Sequence, residues 1–247
     1  MNTIVSSGKC RLCGRLIGKA QMTKHLKTCV SNHAIAAPAK QGKRTRSFHI
    51  IVTATYDPRY WLHMEVPAKV TFARLDRVLR DIWLECCGHL SAFSFPQERS
   101  PRISSGEDLS QILARLMTLD YDDDIEEQGR LMRARVGSRL VPGMKFEYEY
   151  DFGTTTNLSL RVVDEWPTSP SNAKIRLLAR NEPPDIRCAL CGKPATNICP
   201  DCESTDQDCT FCDACAVGHR CGEEMLMPIV NSPRTGVCGY CGPSVEP

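Results

Sequence analysis

The pairing of cysteines constrains this chain more than any other feature. Ten of its fifteen cysteines lie beyond position 187, and most stand in Cys-x-x-Cys pairs. Two thiols at that spacing suit one tetrahedral ion, because the intervening turn aims both sulfurs at one point. The odd count and an N-terminus, "MNTIVSSGKCRLCG", without an apolar signal core argue against a secreted disulfide framework. The expected setting is a reducing cytoplasm, and the expected metal is zinc. No apolar run approaches the roughly 18 residues of a membrane span, so no membrane partner is expected.

The C-terminal pattern is pair, pair, pair, then His-x-Cys. An interleaved arrangement puts Cys188, Cys191, Cys212 and Cys215 on one ion. Cys199, Cys202, His219 and Cys221 then hold a second. A sequential pairing of the first four cysteines is the alternative. Cys209, Cys238 and Cys241 are left over as alternate ligands or exposed thiols. Cys86 and Cys87, at the end of a predicted helix, read as buried packing.

A third site is expected in "CRLCGRLIGKAQMTKHLKTC". Cys10 and Cys13 stand on a hairpin knuckle, and His25 and Cys29, at i and i+4, share one helical face. His33 is an alternative to Cys29 at less apt spacing. Ile17, Met22 and Leu26 make a minimal core, so metal binding should supply the folding free energy of the finger. The expected total is about three zinc ions.

Charge is asymmetric. Residues 1–50 hold ten Lys/Arg and no Asp/Glu, against a whole-chain net charge of +2. Arg11, Arg15, Lys19, Lys24 and Lys27 surround the finger and could meet phosphates of DNA or RNA. A single finger reads about three base pairs, too few for useful sequence specificity.

These signals divide the chain into a finger (1–34), a basic linker (35–46), a core domain (47–182) and a cysteine-rich module (183–247). Only the core segment is long enough to bury a sizeable interior. "SFHIIVTATY" and "YWLHMEV" read as paired strands across the turn "DPR". In "TFARLDRVLRDIWLECCG", Phe72, Leu75, Val78, Leu79, Ile82 and Trp83 fall on one helical face, capped by Thr71 and stopped by Gly88. "HLSAFSF" reads as a returning strand. In "KFEYEYDF" the aromatics Phe146, Tyr148, Tyr150 and Phe152 alternate with acids, predicting a strand with an apolar and a solvated face. "TNLSLRVVDEW" and "AKIRLLAR" complete the set. The expected fold is α+β, a central mixed or antiparallel sheet covered by one main helix and flanked by small zinc-stabilised modules. The acidic run "DYDDDIEE" (120–127) reads as a solvated loop, and "DFG" (151–153), without kinase companions, as a coincidence.

The span from "FHIIVTATY" to "HLSAFSF", with "LDRVLRDIW" and the later "YEYDFG", resembles the plasmid pRi open-reading-frame-three-like family. Those proteins are also described as insertion-element passenger, TnpR-like proteins. "CRLCG…MTKHLKTC", "LLARNEPP" and "EEMLMPIVNSPRTGVCGYCG" are similar to the multi-zinc subset of that family. The resemblance covers roughly residues 47–165 and implies a compact α+β domain in a prokaryotic intracellular protein. It assigns no chemistry. After "YDFG" many relatives continue with an acidic residue, Trp and His, where this chain has Thr154, Thr155, Thr156 and Asn157. The C-terminal spacing is similar to the cross-braced MYND-type finger, a protein-interaction module, with its last His-x-x-x-Cys shortened to "HRC".

Thiolate-rich ligands in excess favour closed structural sites over an open catalytic metal. The expectation is a non-enzymatic multi-zinc adaptor with a protein partner. A nucleic-acid-binding regulator linked to mobile elements is the second reading, and an enzyme acting on nucleic acid the third.

Overall fold

The computed structural model describes residues 6–35, 45–96, 121–168, 174–203 and 209–243, with the backbone alone at 33–35 and 121–125. Eight strands form one sheet in the order β2-β1-β8-β4-β3-β7-β6-β5, every neighbouring pair antiparallel. The strands are β1 (Ser7–Cys10), β2 (Leu16–Gly18), β3 (Thr45–Ala54), β4 (Trp61–Pro67), β5 (Ser91–Ser94), β6 (Lys145–Tyr150), β7 (Thr156–Thr168) and β8 (Arg176–Asn181). The class is α+β, as the sequence predicts.

Alternation along the strands fixes the two faces. Phe48, Ile50 and Val52 of β3, Leu62, Met64 and Val66 of β4, and Leu158, Leu160 and Val162 of β7 point into the main core. Helix α2 (Phe72–Leu79) closes that face through Phe72, Leu75 and Leu79. Thr71 caps it, its side chain accepting the Arg74 N–H at 3.3 Å. The expected helix does not run on as α-helix to Gly88. Its periodicity passes into a π turn at Arg80–Leu84, which buries Ile82, Trp83 and Leu84 together. Widening to a π turn lets three consecutive side chains face the core.

The sheet is not covered by one helix. Helix α3 (Tyr121–Arg133) joins α2 through Leu131. It holds most of the acidic run expected as a loop. Tertiary burial of Leu131 and the Gln128 bond to the Phe93 carbonyl (3.1 Å) override the charge pattern.

The other face is covered from the N-terminus. Helix α1 (Lys19–Ile35) packs Met22, Leu26 and Val30 against Trp61, Leu178 and Ala179. β4 is therefore buried along its whole length. The finger's own hairpin, β1 and β2, extends the sheet beyond β8. This docking needs a glycine: a Cβ at Gly8 would collide with the Arg180 carbonyl and the Trp61 ring.

β6 also departs from its expected pattern. Phe146, Tyr148 and Tyr150 are buried, but Phe152 is exposed. The strand ends at Tyr150, and Asp151 turns into the left-handed region (φ 65°). That turn exchanges the faces, so Asp151 goes inward and Phe152 outward.

The cysteine-rich segment carries a three-stranded sheet of dipeptides, β9 (Asn197–Ile198), β10 (Thr210–Phe211) and β11 (Met227–Pro228). After β11 the chain returns to the core. The buried Ser232 donates to the Trp83 carbonyl at 2.6 Å, and Asn231 and Asn181 exchange bonds of 2.7 and 2.9 Å. Arg234 is fully buried, donating to Asp151 at 2.6 Å and Thr156 at 3.0 Å. No helix among the described residues is long and apolar enough to cross a membrane.

Candidate metal centres

Among the described residues, four groups of Cys and His bring their ligand atoms within 4.8 Å of one another. Each could hold a metal ion. The first is Cys10, Cys13, His25 and Cys29. The Cys10 and Cys29 sulfurs lie 3.8 Å apart, and Cys13 Sγ lies 3.4 Å from His25 Nε2. β1 delivers Cys10 into a turn in which the Gly14 N–H donates to the Cys10 carbonyl at 2.8 Å. Gly14 takes the positive φ (74°) that closes the turn. α1 delivers His25 and Cys29 on one face. The side chain of His33, the alternative ligand, lies outside the described residues.

The second group is Cys188, Cys191, Cys212 and Cys215, with Cys191 and Cys212 sulfurs 3.6 Å apart. It repeats the knuckle of the first: the Gly192 N–H donates to the Cys188 carbonyl at 2.9 Å, with Gly192 at φ 71°. The third is Cys199, Cys202, His219 and Cys221. Cys202 Sγ is 3.5 Å from His219 Nε2 and 3.7 Å from Cys221 Sγ. The shortened "HRC" thus still delivers both ligands. The sulfurs group in the interleaved order, not the sequential one.

These distances have a physical scale. Zinc–sulfur bonds of about 2.3 Å and zinc–nitrogen bonds of about 2.0–2.1 Å, set tetrahedrally, give S···S edges of about 3.8 Å and S···N edges of about 3.6 Å. A disulfide requires about 2.05 Å. Among the described pairs the geometry is that of ligand tetrads around a thiophilic cation.

Without a cation such tetrads resist full ionisation. Crowded thiols hold protons against one another: Cys215 is pushed up to about 12 by bonding with Cys191, Cys212 and Cys188. Burial, with Cys13 and Cys10, pushes Cys29 up to about 12, and burial with Cys221 and Cys199 pushes Cys202 up to about 11. Two thiols run the other way: Cys188 is drawn down to about 6 by backbone N–H groups at Cys212, Cys191 and Leu190, and Cys13 is lowered by the backbone at Arg15. A divalent cation reverses this balance by stabilising all the thiolates at once.

The fourth group is Cys86, Cys87, His89 and Cys238. This corrects the reading of Cys86 and Cys87 as buried packing in part: Cys87 is exposed, whereas the half-buried Cys86 does pack against the core. It also gives Cys238 ligand neighbours. The compact "CCGH" was the legible half of this signal, but nothing in the sequence pairs it with a thiol about 150 residues away. Cys241 stays outside the groups, its Sγ 3.3 Å from the Gly239 carbonyl. The half-buried Cys209 serves instead through its backbone, its carbonyl accepting the Cys199 N–H at 2.8 Å.

The basic side chains divide. Lys27 pairs with Asp164 on β7 at 3.0 Å, and Lys19 donates to the Pro58 carbonyl at 2.5 Å. Arg11, Arg15 and Lys24 are exposed. Arg15 and Lys24 flank an open groove of about 710 Å³ beside Cys13, His25 and Cys29. "DFG" has a structural role: Asp151 receives Arg234, and Thr154 together with Arg234 holds its carboxyl far below the usual range.

No family model matches this chain, and no curated protein matches it. A solved structure with a similar trace is a protein of unknown function, MM3350, from Methanosarcina mazei Go1. It is 15% identical and the match covers 56% of this chain and 71% of that one, with a TM-score of 0.39. The likeness is too loose to carry fold or function across.

Proposed function

We propose that this protein is a non-enzymatic, multi-zinc adaptor of a prokaryotic cytoplasm, related to the plasmid pRi open-reading-frame-three-like proteins and carrying a MYND-like C-terminal module. The observation that carries this reading is closure. The first three ligand groups each supply four protein atoms, which fills a tetrahedral ion and leaves no corner for a substrate or water. Glu223, a carboxylate near the third group, accepts the Gly218 N–H at 3.1 Å, which engages it as a turn brace. The zincs are braces, and the surfaces they hold bind a protein partner. Cobalt substitution tests this. Four-coordinate spectra in every site support it, whereas a five-coordinate, water-bearing site would overturn it.

The second reading, contact with DNA or RNA, is favoured by the groove between Arg15 and Lys24. Retention on nucleic acid should fall as salt rises, and the Arg15→Glu/Lys24→Glu variant should lose it. Capture from lysate that survives nuclease supports the protein partner instead.

A further inference from the structure

We infer that Cys86, Cys87, His89 and Cys238 form a fourth metal site, taking Zn²⁺ or a like thiophilic divalent cation, which clamps the C-terminal tail to the core domain. The proposal goes beyond the adaptor reading and does not depend on any partner.

The site is assembled from two distant stretches. Cys86 and Cys87 follow Glu85, the residue that ends the π turn Arg80–Leu84, and His89 precedes β5. Cys238 lies in the tail, with its sulfur 3.2 Å from His89 Nε2 and 4.0 Å from Cys87 Sγ. The nitrogen–sulfur distance falls a little below a tetrahedral edge and the sulfur–sulfur distance a little above one, and both are far from a disulfide.

The neighbouring residues hold these ligands in place. Glu85 accepts the Gly88 N–H at 2.7 Å and the Tyr150 hydroxyl at 3.2 Å, and receives Arg80 at 3.1 Å. This fixes the loop that carries Cys86, Cys87 and His89. Gly88 takes φ 73°, which turns the chain between the thiols and the imidazole. On the tail side, Cys238 itself sits at φ 51°, between Gly236 (φ 80°) and Gly239 (φ 68°). A side-chain-bearing residue rarely adopts that conformation, and here it aims the thiol at His89.

His89 presents one ring nitrogen to the thiols and the other toward a carboxylate. Its Nδ1 faces Asp151 Oδ1 at 3.6 Å, while the other Asp151 oxygen is held by Arg234 Nη2 at 2.6 Å. At 3.6 Å the carboxylate lies just beyond hydrogen-bond reach of Nδ1, and Nε2 is the ring nitrogen that faces the thiols. Asp151 thereby serves both anchors of the tail, the Arg234 ion pair and the proposed metal.

This site differs from the other three in exposure. Cys87 and Cys238 are both exposed, so its ion should exchange with solvent more readily than theirs. The tail, not a local knuckle, supplies the closing ligand.

The test is zinc content per chain of the full-length protein, purified reduced and passed through a desalting column. Wild type should carry about four ions, and Cys87→Ser and Cys238→Ser about three each, with unchanged far-UV dichroism. Cys86→Ser should also lose one, and Cys241→Ser none. Competition with a colorimetric chelator should release one ion in four fastest, and that fast phase should vanish in Cys238→Ser. Three ions in both wild type and Cys238→Ser would overturn the fourth site while leaving the other three intact. Loss of an ion in Cys241→Ser but not Cys86→Ser would overturn the ligand set, and a Cys87–Cys238 disulfide in the isolated protein would overturn the metal. Fewer than three ions in wild type would instead count against the multi-zinc reading itself.

Discussion

The core sheet and the cysteine-rich segment are held by different forces. The core buries a continuous cluster running from Phe48 through Trp83 and Tyr148 to Val162. The segment around β9 to β11 buries Cys199, Cys202, Phe211 and Ala216 in its own cluster, and two of those are ligands. The first region can form by removing apolar surface from water. The second has too little to remove, and its strands are dipeptides. Cross-bracing can make up the shortfall: each ligand group joins residues from both halves of the segment, so an ion held there would keep either half from opening alone. The finger is intermediate. It has a metal tetrad like the second region, but Met22 and Leu26 are fully buried against the core.

Metal removal should expose this contrast most strongly. A strong chelator should unfold residues 188–228 and leave the main sheet cooperative, since structural zinc contributes roughly 10–16 kcal/mol in finger peptides. Amide exchange would read it segment by segment, with α1 showing intermediate protection. Uniform loss of protection across the sheet would break the comparison.

The converse variant is Leu160→Ala. It removes a fully buried side chain from the centre of β7 and should cost about 2–5 kcal/mol in denaturant unfolding. Metal content should not change. A loss of zinc from this variant would mean that the two regions are more tightly coupled than their separate clusters imply.

Acid should weaken the core before its carboxylates titrate. His49 Nε2 and His63 Nδ1 lie 2.8 Å apart beneath α1. Burial holds His49 down to about 4 and His63 down to about 3. Both are neutral when folded, and both gain a proton on unfolding below about pH 6.5. Their contribution is therefore complete above pH 6.5 and is lost as pH falls toward 4 and 3. The slope is about 1.4 kcal/mol per pH unit for each group in that window. Urea midpoints at pH 7 and pH 5.5, with bound metal measured at both, would check this. Equal midpoints with metal retained would contradict it.

The smallest effect should come from Lys27→Ala. Its pair with Asp164 ties the finger helix to β7 but is solvent-exposed on both sides. The change should be under about 1 kcal/mol in thermal melting. A larger loss would show that the finger depends on this contact rather than on Met22, Leu26 and its metal.

Local chemistry was legible in the sequence. A Cys-x-x-Cys-Gly knuckle, an i, i+4 His–Cys pair and an alternating aromatic strand each specify geometry within a few residues. They gave the three tetrads, the strands near β3, β4 and β6, and the start of α2. The sequence also determined that the C-terminal segment could not rely on burial. Other features depended on contacts across the chain. β1 joins β8 because Gly8 lets the backbone approach Trp61. The acidic run is helical because Leu131 has a core to enter. Asp151 turns inward toward a buried Arg234 far along the chain. Cys86, Cys87 and His89 meet Cys238 for the same reason. Spacing fixes geometry only over a turn or a helix face, whereas the meeting of distant residues is decided by how the whole sheet and its tail pack.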